Sequence, residues 1–466
     1  MKKLKIVCLV ESDPEIRNFL LSKALEPLFR THDVTLLLPH KGYKRIAFDV
    51  DSLALPIPVR HVTIPAERLS LWRLSFHHSQ MRFPRDREWF NLWLAWWGVI
   101  GWKAAVLYTL GNLPGIGWLM RRRYEAKLRA CPASEFSAVI RELAPDIIIH
   151  PSTFAGYFVN DVIAEGKTQG IPTMLLMNSW DNPSIKRATS GKADWVAVWG
   201  EQTLRHTHFY MGIPKERIVC LGAAQFEAYR PKPRITPEEF RREYGLSTET
   251  KILLYAGSSR GKDEAKHLAW LEAGIEQGLL GNVAVVYRPH PWGFGQQQAL
   301  DIVSSGWKHI HVETSMQSFV QVLADGNRPS GFLMAEYART HDVLSSVDML
   351  LSPLSTIIVE GALHGLPVMC FYAKEEEKGS IWRKTLKNLA HFEDIFQSPS
   401  VVVCTNYESF LPSVVELCRR AEDNEFCDRI AKEMVFFAVF HEKSYGDALL
   451  EHLDRLFPSA ECAKPS

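Results

Sequence analysis

The stretch Val347-Asp348-Met349-Leu350-Leu351-Ser352-Pro353-Leu354-Ser355-Thr356-Ile357-Ile358-Val359-Glu360-Gly361-Ala362-Leu363-His364-Gly365-Leu366-Pro367-Val368 decides the fold. Its apolar run up to Leu351 predicts a buried strand, and Ser352 to Ser355 a hydroxyl-rich turn. A helix then starts at Ser355 and Thr356, stops at Gly365 and gives way to a second strand. Strand, helix and strand in succession form a crossover, which only a parallel sheet accommodates. The alternation continues in both directions. Strands are expected at 5–10, 33–38, 146–150, 172–177, 194–199 and 217–221, then at 251–256, 282–287, 309–312, 347–351, 367–372 and 401–404. Residues 413–456 are expected to be mainly helical.

Between the two series lies a Pro-rich, charged segment that runs into a Thr-Pro helix start. The expected organisation is therefore an N-terminal domain over 1–230, a linker at 231–240, a second domain over 241–435, and a C-terminal helix and tail at 436–466. Both domains are Rossmann-like α/β units, expected to face each other across a cleft. Composition agrees: 466 residues with 46% hydrophobic and 23% charged describe a folded chain, not a disordered one. Lys plus Arg number 54 against 53 Asp plus Glu, a formal charge of +1, which argues against a general nucleic-acid binder. The eight Cys show no C-x-x-C and no zinc spacing with His, as in a reducing compartment. Ile6 to Val10 is too short for a signal-peptide core, and Glu11 and Asp13 follow it, so the expected location is cytoplasmic.

Residues 61–130 break the pattern. Trp89, Trp93, Trp96, Trp97 and Ile100 fall on one helical face, in a chain with 14 Trp. From 60 to 129 there are twelve basic residues, Arg121, Arg122 and Arg123 among them, against four acids. Trp-rich apolar surface bordered by Arg suits an interfacial element on the inner membrane face. A buried hairpin with a basic rim is the plainer reading. A membrane span would put strands 5–10 and 146–150, members of one sheet, on opposite sides of the bilayer.

Three signals carry chemistry. Val285-Val286-Tyr287-Arg288-Pro289-His290-Pro291 ends a buried strand in a cation and an imidazole, placed where a doubly wound sheet binds ligand. Arg288 can pair bidentately with a phosphate and His290 can donate to one; the plain alternative is a loop that merely ends a strand. In the opening stretch, Ser355 and Thr356 sit at a helix N-terminus, whose free N–H groups and dipole favour an anion. Glu360, one turn on, can accept from a ribose hydroxyl; otherwise Ser355 is an N-cap and Glu360 a solvated residue. Finally, Gly257, Ser258, Ser259 and Arg260 follow a strand and offer a phosphate nest, though they match neither a Walker A nor a G-x-G-x-x-G string.

On these residues the C-terminal half resembles the donor-nucleotide domain of GT-B glycosyltransferases. It is most similar to the CDP-glycerol glycerophosphotransferase and capsule-polysaccharide transferase group of surface carbohydrate biosynthesis, and more distantly to UDP-GlcNAc 2-epimerases. The resemblance implies that His290, Ser355 and Thr356 hold the nucleotide diphosphate and Glu360 the ribose. Asn178-Ser179-Trp180-Asp181-Asn182 and Gly212-Ile213-Pro214 also look like stretches of such proteins. The implied fold is GT-B; residues 61–130, which the resemblance does not cover, are expected to form a Trp/Arg-rich insertion in its N-terminal domain. The implied activity is metal-independent transfer from a nucleotide-activated sugar to a glycan, and the insertion leads us to expect a lipid-linked acceptor. No cofactor is expected beyond the donor as co-substrate.

Inverting transfer needs a general base for the acceptor hydroxyl. Asp13 and Glu11, at the carboxyl end of the first strand, rank ahead of Asp181; capping roles are the alternative for each. His40 and His150 also follow strands. Asp49-Val50-Asp51 reads as a loop rather than a metal motif, and no His set closes on a metal. Trp93, Trp96, Trp97 and Arg121 to Arg123 would meet the membrane or acceptor. Three other functions stay open: a polyol-phosphate transferase, a nucleotide-sugar 2-epimerase, and a non-catalytic nucleotide- or glycan-binding scaffold.

Overall fold

The computed structural model describes residues 2–43, 45–63, 68, 71, 106, 110, 113, 115–130, 135–152, 158–185, 192–258, 263–291, 295–327, 336–378 and 388–458. Trp93, Trp96, Trp97, Ser259 and Arg260 lie outside them, as does the Arg121 side chain. The chain divides into two compact units, one of Met1–Glu227 with Phe436–Ser466 and one of Ala228–Val435. Residues 231–240 thus belong to the second unit, and the C-terminal segment returns to the first.

The first unit is built on β1 (Lys5–Leu9), β2 (Asp33–Pro39), β3 (Val59–Val62), β4 (Ile147–Ser152), β5 (Thr173–Met177), β6 (Trp195–Val198) and β7 (Ile218–Cys220). They form one sheet in the order β3-β2-β1-β4-β5-β6-β7, with every pairing parallel. The central strands are apolar on both faces because helices cover both, and all six residues of β4 are buried. The C-terminal helix Tyr445–Leu456 lays Tyr445, Leu449 and Leu453 into the core beside Phe19, Leu20 and Leu28. Gly446 permits this contact, since a Cβ there would stand 2.5 Å from the Pro27 ring.

The second unit holds β8 (Lys251–Ala256), β9 (Val283–Arg288), β10 (Ile310–Val312), β11 (Met349–Pro353), β12 (Val368–Phe371) and β13 (Val401–Cys404). Their order is β10-β9-β8-β11-β12-β13, again all parallel. The expected Thr-Pro helix start is present. Thr236 and Glu239 make a reciprocal capping box: the Thr236 hydroxyl accepts from the Glu239 N–H at 3.2 Å, and the Glu239 carboxylate from the Thr236 N–H at 2.8 Å. Both units are thus the expected α/β parallel-sheet architecture.

Twelve expected strands are found. The thirteenth, β3, went unread because Val59-Arg60-His61-Val62 has no apolar run; as an edge strand it buries only Val62. In the exceptional region, the helix Ile116–Ala130 is solvent-exposed on every described side chain but Met120. Trp118 and Leu119 are more than half exposed, and Val106, Leu110, Leu113 and Ile116 are exposed before them. Among the described residues, no helix is long and apolar enough to cross a membrane.

Candidate active site

In the second unit, successive strands leave β8 toward β9 and leave β11 toward β12, in opposite directions across the sheet. Such a switch point opens a crevice outside the carboxyl ends of β8 and β11, the place where doubly wound sheets bind ligands. The three signals of the sequence converge there. Gly257 and Ser258 follow β8, Arg288 closes β9, and Ser355 and Thr356 follow β11. The Gly257 N–H donates to the Arg288 carbonyl at 2.9 Å, and the Ser352 hydroxyl ties β11 to the Ala256 carbonyl at 2.8 Å.

Arg288 is the most informative residue of the crevice. Its side chain is buried, and one terminal nitrogen donates to the Thr340 hydroxyl at 2.9 Å. The other, Nη1, is buried without an acceptor. A buried cationic N–H left unpaired is costly, and an anionic ligand would satisfy it. Arg288 also stands near Glu313. Burial pushes that carboxyl up, but the charges of Arg288 and Arg339 and the Ser315 hydroxyl together hold it below its usual range. Arg339 is itself clamped, donating to Glu313 at 2.8 Å and to Glu243 at 2.6 Å.

Glu360 is almost buried and accepts a short hydrogen bond from the Tyr229 hydroxyl. Burial, then the Glu360 charge, push the Tyr229 phenol far up, so it stays a donor, while Arg288 pulls the other way. That influence places Arg288, Tyr229 and Glu360 in one electrostatic neighbourhood. The Tyr229 ring packs against His341 and His364 at centroid distances of 5.5 and 4.9 Å. His341 Nε2 meets the Pro231 carbonyl at 2.9 Å, the two rings meet at 2.9 Å, and His364 Nδ1 meets the Glu360 carbonyl at 2.7 Å. All three contacts require three N–H protons on two rings, hence one positive charge. Burial opposes a charge on His364 and draws that ring down to about 4. Sequence reasoning missed Tyr229, His341 and His364; Tyr229 stands just before a segment that reads as linker, and neither His belongs to a recognisable motif.

Below the nest, Glu264 is buried and accepts from the Tyr287 hydroxyl at 2.6 Å and the Ser258 N–H at 3.1 Å. A Cβ at Gly257 would stand 2.8 Å from the Glu264 carboxylate, so a side chain there would have to displace Glu264 from its bonds to Tyr287 and Ser258. Thr356 is the N-cap of the helix Ile357–Leu363, and its hydroxyl makes no capping bond. Ser355 and His290 are half-buried.

The candidate bases of the first unit are differently employed. The Asp13 carboxylate, 3% exposed, accepts from the Ala47 N–H at 3.0 Å and the Phe48 N–H at 3.0 Å. Glu11 is fully buried, accepts from the Phe158 N–H at 3.1 Å and lies 3.5 Å from Arg45. Its own N–H donates to Glu15 at 2.6 Å; burial and then the Glu11 charge raise the Glu15 carboxyl well above the usual range. Asp181 is half-buried, follows β5 rather than β1, and accepts from the Asn182 amide at 3.0 Å. Structure thus brings Glu11 and Asp13 together around Arg45, whereas Asp181 follows β5. Asp49 accepts from the Asp51 N–H at 3.2 Å, as a loop residue does, and no cluster of metal-ligating side chains occurs among the described residues.

No protein-family model matches the chain, and comparison with curated proteins finds no match. Solved structures do share the fold. The UDP-GlcNAc 2-epimerase of Neisseria meningitidis, bound to UDP-GlcNAc, superposes with a TM-score of 0.53 at 12% identity, covering 97% of this chain and 100% of that one. The S. aureus MnaA–UDP structure gives 0.51 at 11% identity over 100% and 99%. A glycosyltransferase of Rickettsia africae gives 0.50 at 11% identity over 98% and 100%. The chain has the GT-B fold, in which glycosyltransferases and these epimerases are built alike.

Proposed function

We propose that the protein is a glycosyltransferase that takes a sugar from a nucleoside diphosphate held in the second unit and transfers it to a glycan. The observation that carries this reading is Arg288, a buried guanidinium with one terminal nitrogen unpaired, on the strand beside a topological switch point. The Gly257 and Ser258 N–H groups, expected to form a phosphate nest, are instead spent on the Arg288 carbonyl and the Glu264 carboxylate. Arg288 and His290 would bind the diphosphate, with Ser355 and Thr356 closing on its oxygens. These donors and the helix N-terminus would stabilise the negative charge that develops on the leaving group. Glu360, aimed by Tyr229, would accept from the ribose. Two of the structural neighbours, MnaA and the Neisseria epimerase, are described as bound to UDP and to UDP-GlcNAc, which supports a nucleotide of that class.

The acceptor in this reading is lipid-linked and the enzyme is cytoplasmic, resting on the inner membrane face. The exposed helix Ile116–Ala130 supports this, since Trp118 and Leu119 share it with exposed Arg122, Arg123 and Lys127. Arg122 stacks over the Trp118 ring at 4.3 Å, a pairing suited to the headgroup region. A second reading, nucleotide-sugar 2-epimerisation, draws on the epimerases among the neighbours; it would use the same crevice and no membrane surface.

Thermal stabilisation by UDP, CDP, CMP, GDP and dTDP tests the donor site. A nucleotide at about a hundred times its Kd stabilises the protein by ~2.7 kcal/mol, and His290→Ala should remove the shift. If none of the five stabilises the wild type, the donor site is not where we place it.

A further inference from the structure

The paired rings of His341 and His364 are not used by the donor chemistry described above, and their contacts fix how many protons the pair holds when complete. His341 Nε2 meets the Pro231 carbonyl at 2.9 Å and His364 Nδ1 meets the Glu360 carbonyl at 2.7 Å, so each of these nitrogens carries an N–H. The other two, His341 Nδ1 and His364 Nε2, face each other at 2.9 Å. With both rings neutral they are opposed lone pairs, and the Ser345 hydroxyl, 3.3 Å from His341 Nδ1, can donate there instead. One added proton turns the opposition into a hydrogen bond.

The geometry puts that proton on His341. Doubly protonated, His341 donates to both Pro231 and His364 and leaves His364 neutral, which agrees with the burial that draws the His364 ring down to about 4. His341 also lies in the last turn of the helix Tyr337–Leu344, and His364 is the C-cap of the helix Ile357–Leu363. Two negative helix ends therefore meet at the pair, where a cation is favoured.

The charges around the pair are close to balance, and one of them depends on the ligand. On the helix Tyr337–Leu344 itself, Asp342 is held by Arg234 at 2.8 Å, and Arg339 by Glu243 and Glu313. The helix Ile357–Leu363 contributes the Glu360 carboxylate, which accepts from the Tyr229 hydroxyl; Tyr229 in turn packs on Tyr337 and on both imidazoles. Arg230 and Lys232 flank Pro231, Lys232 being exposed. The helix Asn424–Met434 packs against Ile357–Leu363, and among the described residues none of its charges weighs on His364. Arg288 opposes a second cation: it donates to Thr340, the residue before His341, and its charge reaches Tyr229. Glu313 offsets part of that charge, yet Nη1 still lacks an acceptor. An anion on Nη1 removes the opposition.

We propose that His341 takes up one proton when the donor diphosphate reaches Arg288, and that the completed chain from Pro231 through His341 and His364 to the Glu360 carbonyl makes the two histidines positioning residues for Glu360. The inference rests on the donor-site reading. By reciprocal linkage, donor affinity falls as the pH rises, by at most about tenfold for each unit.

Titration calorimetry on the full-length protein tests it, with the glucose esters of UDP, CDP, GDP and dTDP as probes. Their diphosphates have no proton to gain or lose near neutral pH. Binding heats measured in PIPES and in Tris, buffers of very different ionisation heat, report the protons taken up. We expect at least one probe to bind the wild type with uptake of up to about one proton, and its Kd to rise several-fold for each pH unit above neutrality. His341→Gln should bind that probe without uptake and with a Kd that no longer follows pH. His364→Phe removes the accepting nitrogen, should behave alike, and serves if the first variant misfolds. Wild-type binding without uptake, or uptake that survives in a folded variant and so belongs to another group such as His290, overturns the proposal and leaves the donor site standing. If none of the four binds, the donor-site reading falls and the proposal with it.

Discussion

Replacing Arg288 with Lys separates charge from geometry at the donor site. The wild-type guanidinium spends one nitrogen on Thr340 and keeps Nη1 unpaired inside the protein. A diphosphate reaching it gains a charge-assisted bond whose protein partner is already desolvated and fixed. Lysine retains the positive charge beside Glu313 but has no planar fork, so it cannot hold Thr340 and a phosphate oxygen in the same directions. A hydrogen bond to a charged group contributes about 1.5–3 kcal/mol. The nucleotide Kd should therefore rise by a factor of roughly 10–150. Titration calorimetry with whichever nucleotide stabilises the wild type measures this directly. Stability should fall by no more than about 1.5–3 kcal/mol, because the folded protein loses only the charge-assisted Thr340 bond. Thr340→Val provides the control, as it leaves Arg288 in place but unanchored and should weaken binding by less. An Arg288→Lys protein that binds within about threefold of wild type would refute the bidentate role.

Two further expectations concern the exposed helix and the histidine pair. Neutralising Arg122, Arg123 and Lys127 to Ser should cut partitioning onto anionic vesicles by about two orders of magnitude, at ~1 kcal/mol for each basic residue; co-sedimentation reads it, and equal binding by the triple variant and wild type would count against a membrane role. For His364, the folded protein holds the ring down near 4 against an ordinary value of 6.5, mainly by burial. The unfolded chain therefore takes up the proton first, and stability is present above about pH 6.5 and falls as the pH drops toward 4. Allowing for the ring's partial exposure, about 1–2 kcal/mol is lost across that window. Urea unfolding at a series of pH values should show this loss flattened in His364→Gln, and an unchanged slope would exclude the residue.

The fold was legible where burial alone decides the sequence. Strands such as Val283–Arg288 are apolar on both faces because both faces are covered, and no other element type explains so short an apolar run between turns. Edge strand β3 escaped because only Val62 of its four residues is buried, so it needs no apolar run. Site residues divided on the same principle. Arg288 and Glu360 could be read because each stands at a fixed offset from a strand or helix end. Tyr229 could not, since its partner Glu360 lies 131 positions away and nothing in the intervening chain marks the pair. The histidine pair is likewise a tertiary contact, 23 residues apart and outside any helical spacing.

Asp13 shows how a strand-end carboxylate misleads. Its position at the carboxyl end of β1 is what a base would need, and the sequence ranks it first for that reason. A general base needs a lone pair directed at the acceptor and some access to it. The two Asp13 oxygens instead face the Ala47 and Phe48 N–H groups, and the carboxyl is 3% exposed. Proton abstraction would have to break those bonds and loosen the loop 45–48 that they fix. Glu11 is worse placed still, fully buried beside Arg45 and the Phe158 amide. Of the three carboxylates, Asp181 alone combines partial exposure with a position after a central strand. The surroundings of the three thus reverse the order that the sequence suggests: a base role would disturb the fewest bonds described here at Asp181, whereas Asp13 is engaged in fixing the loop 45–48.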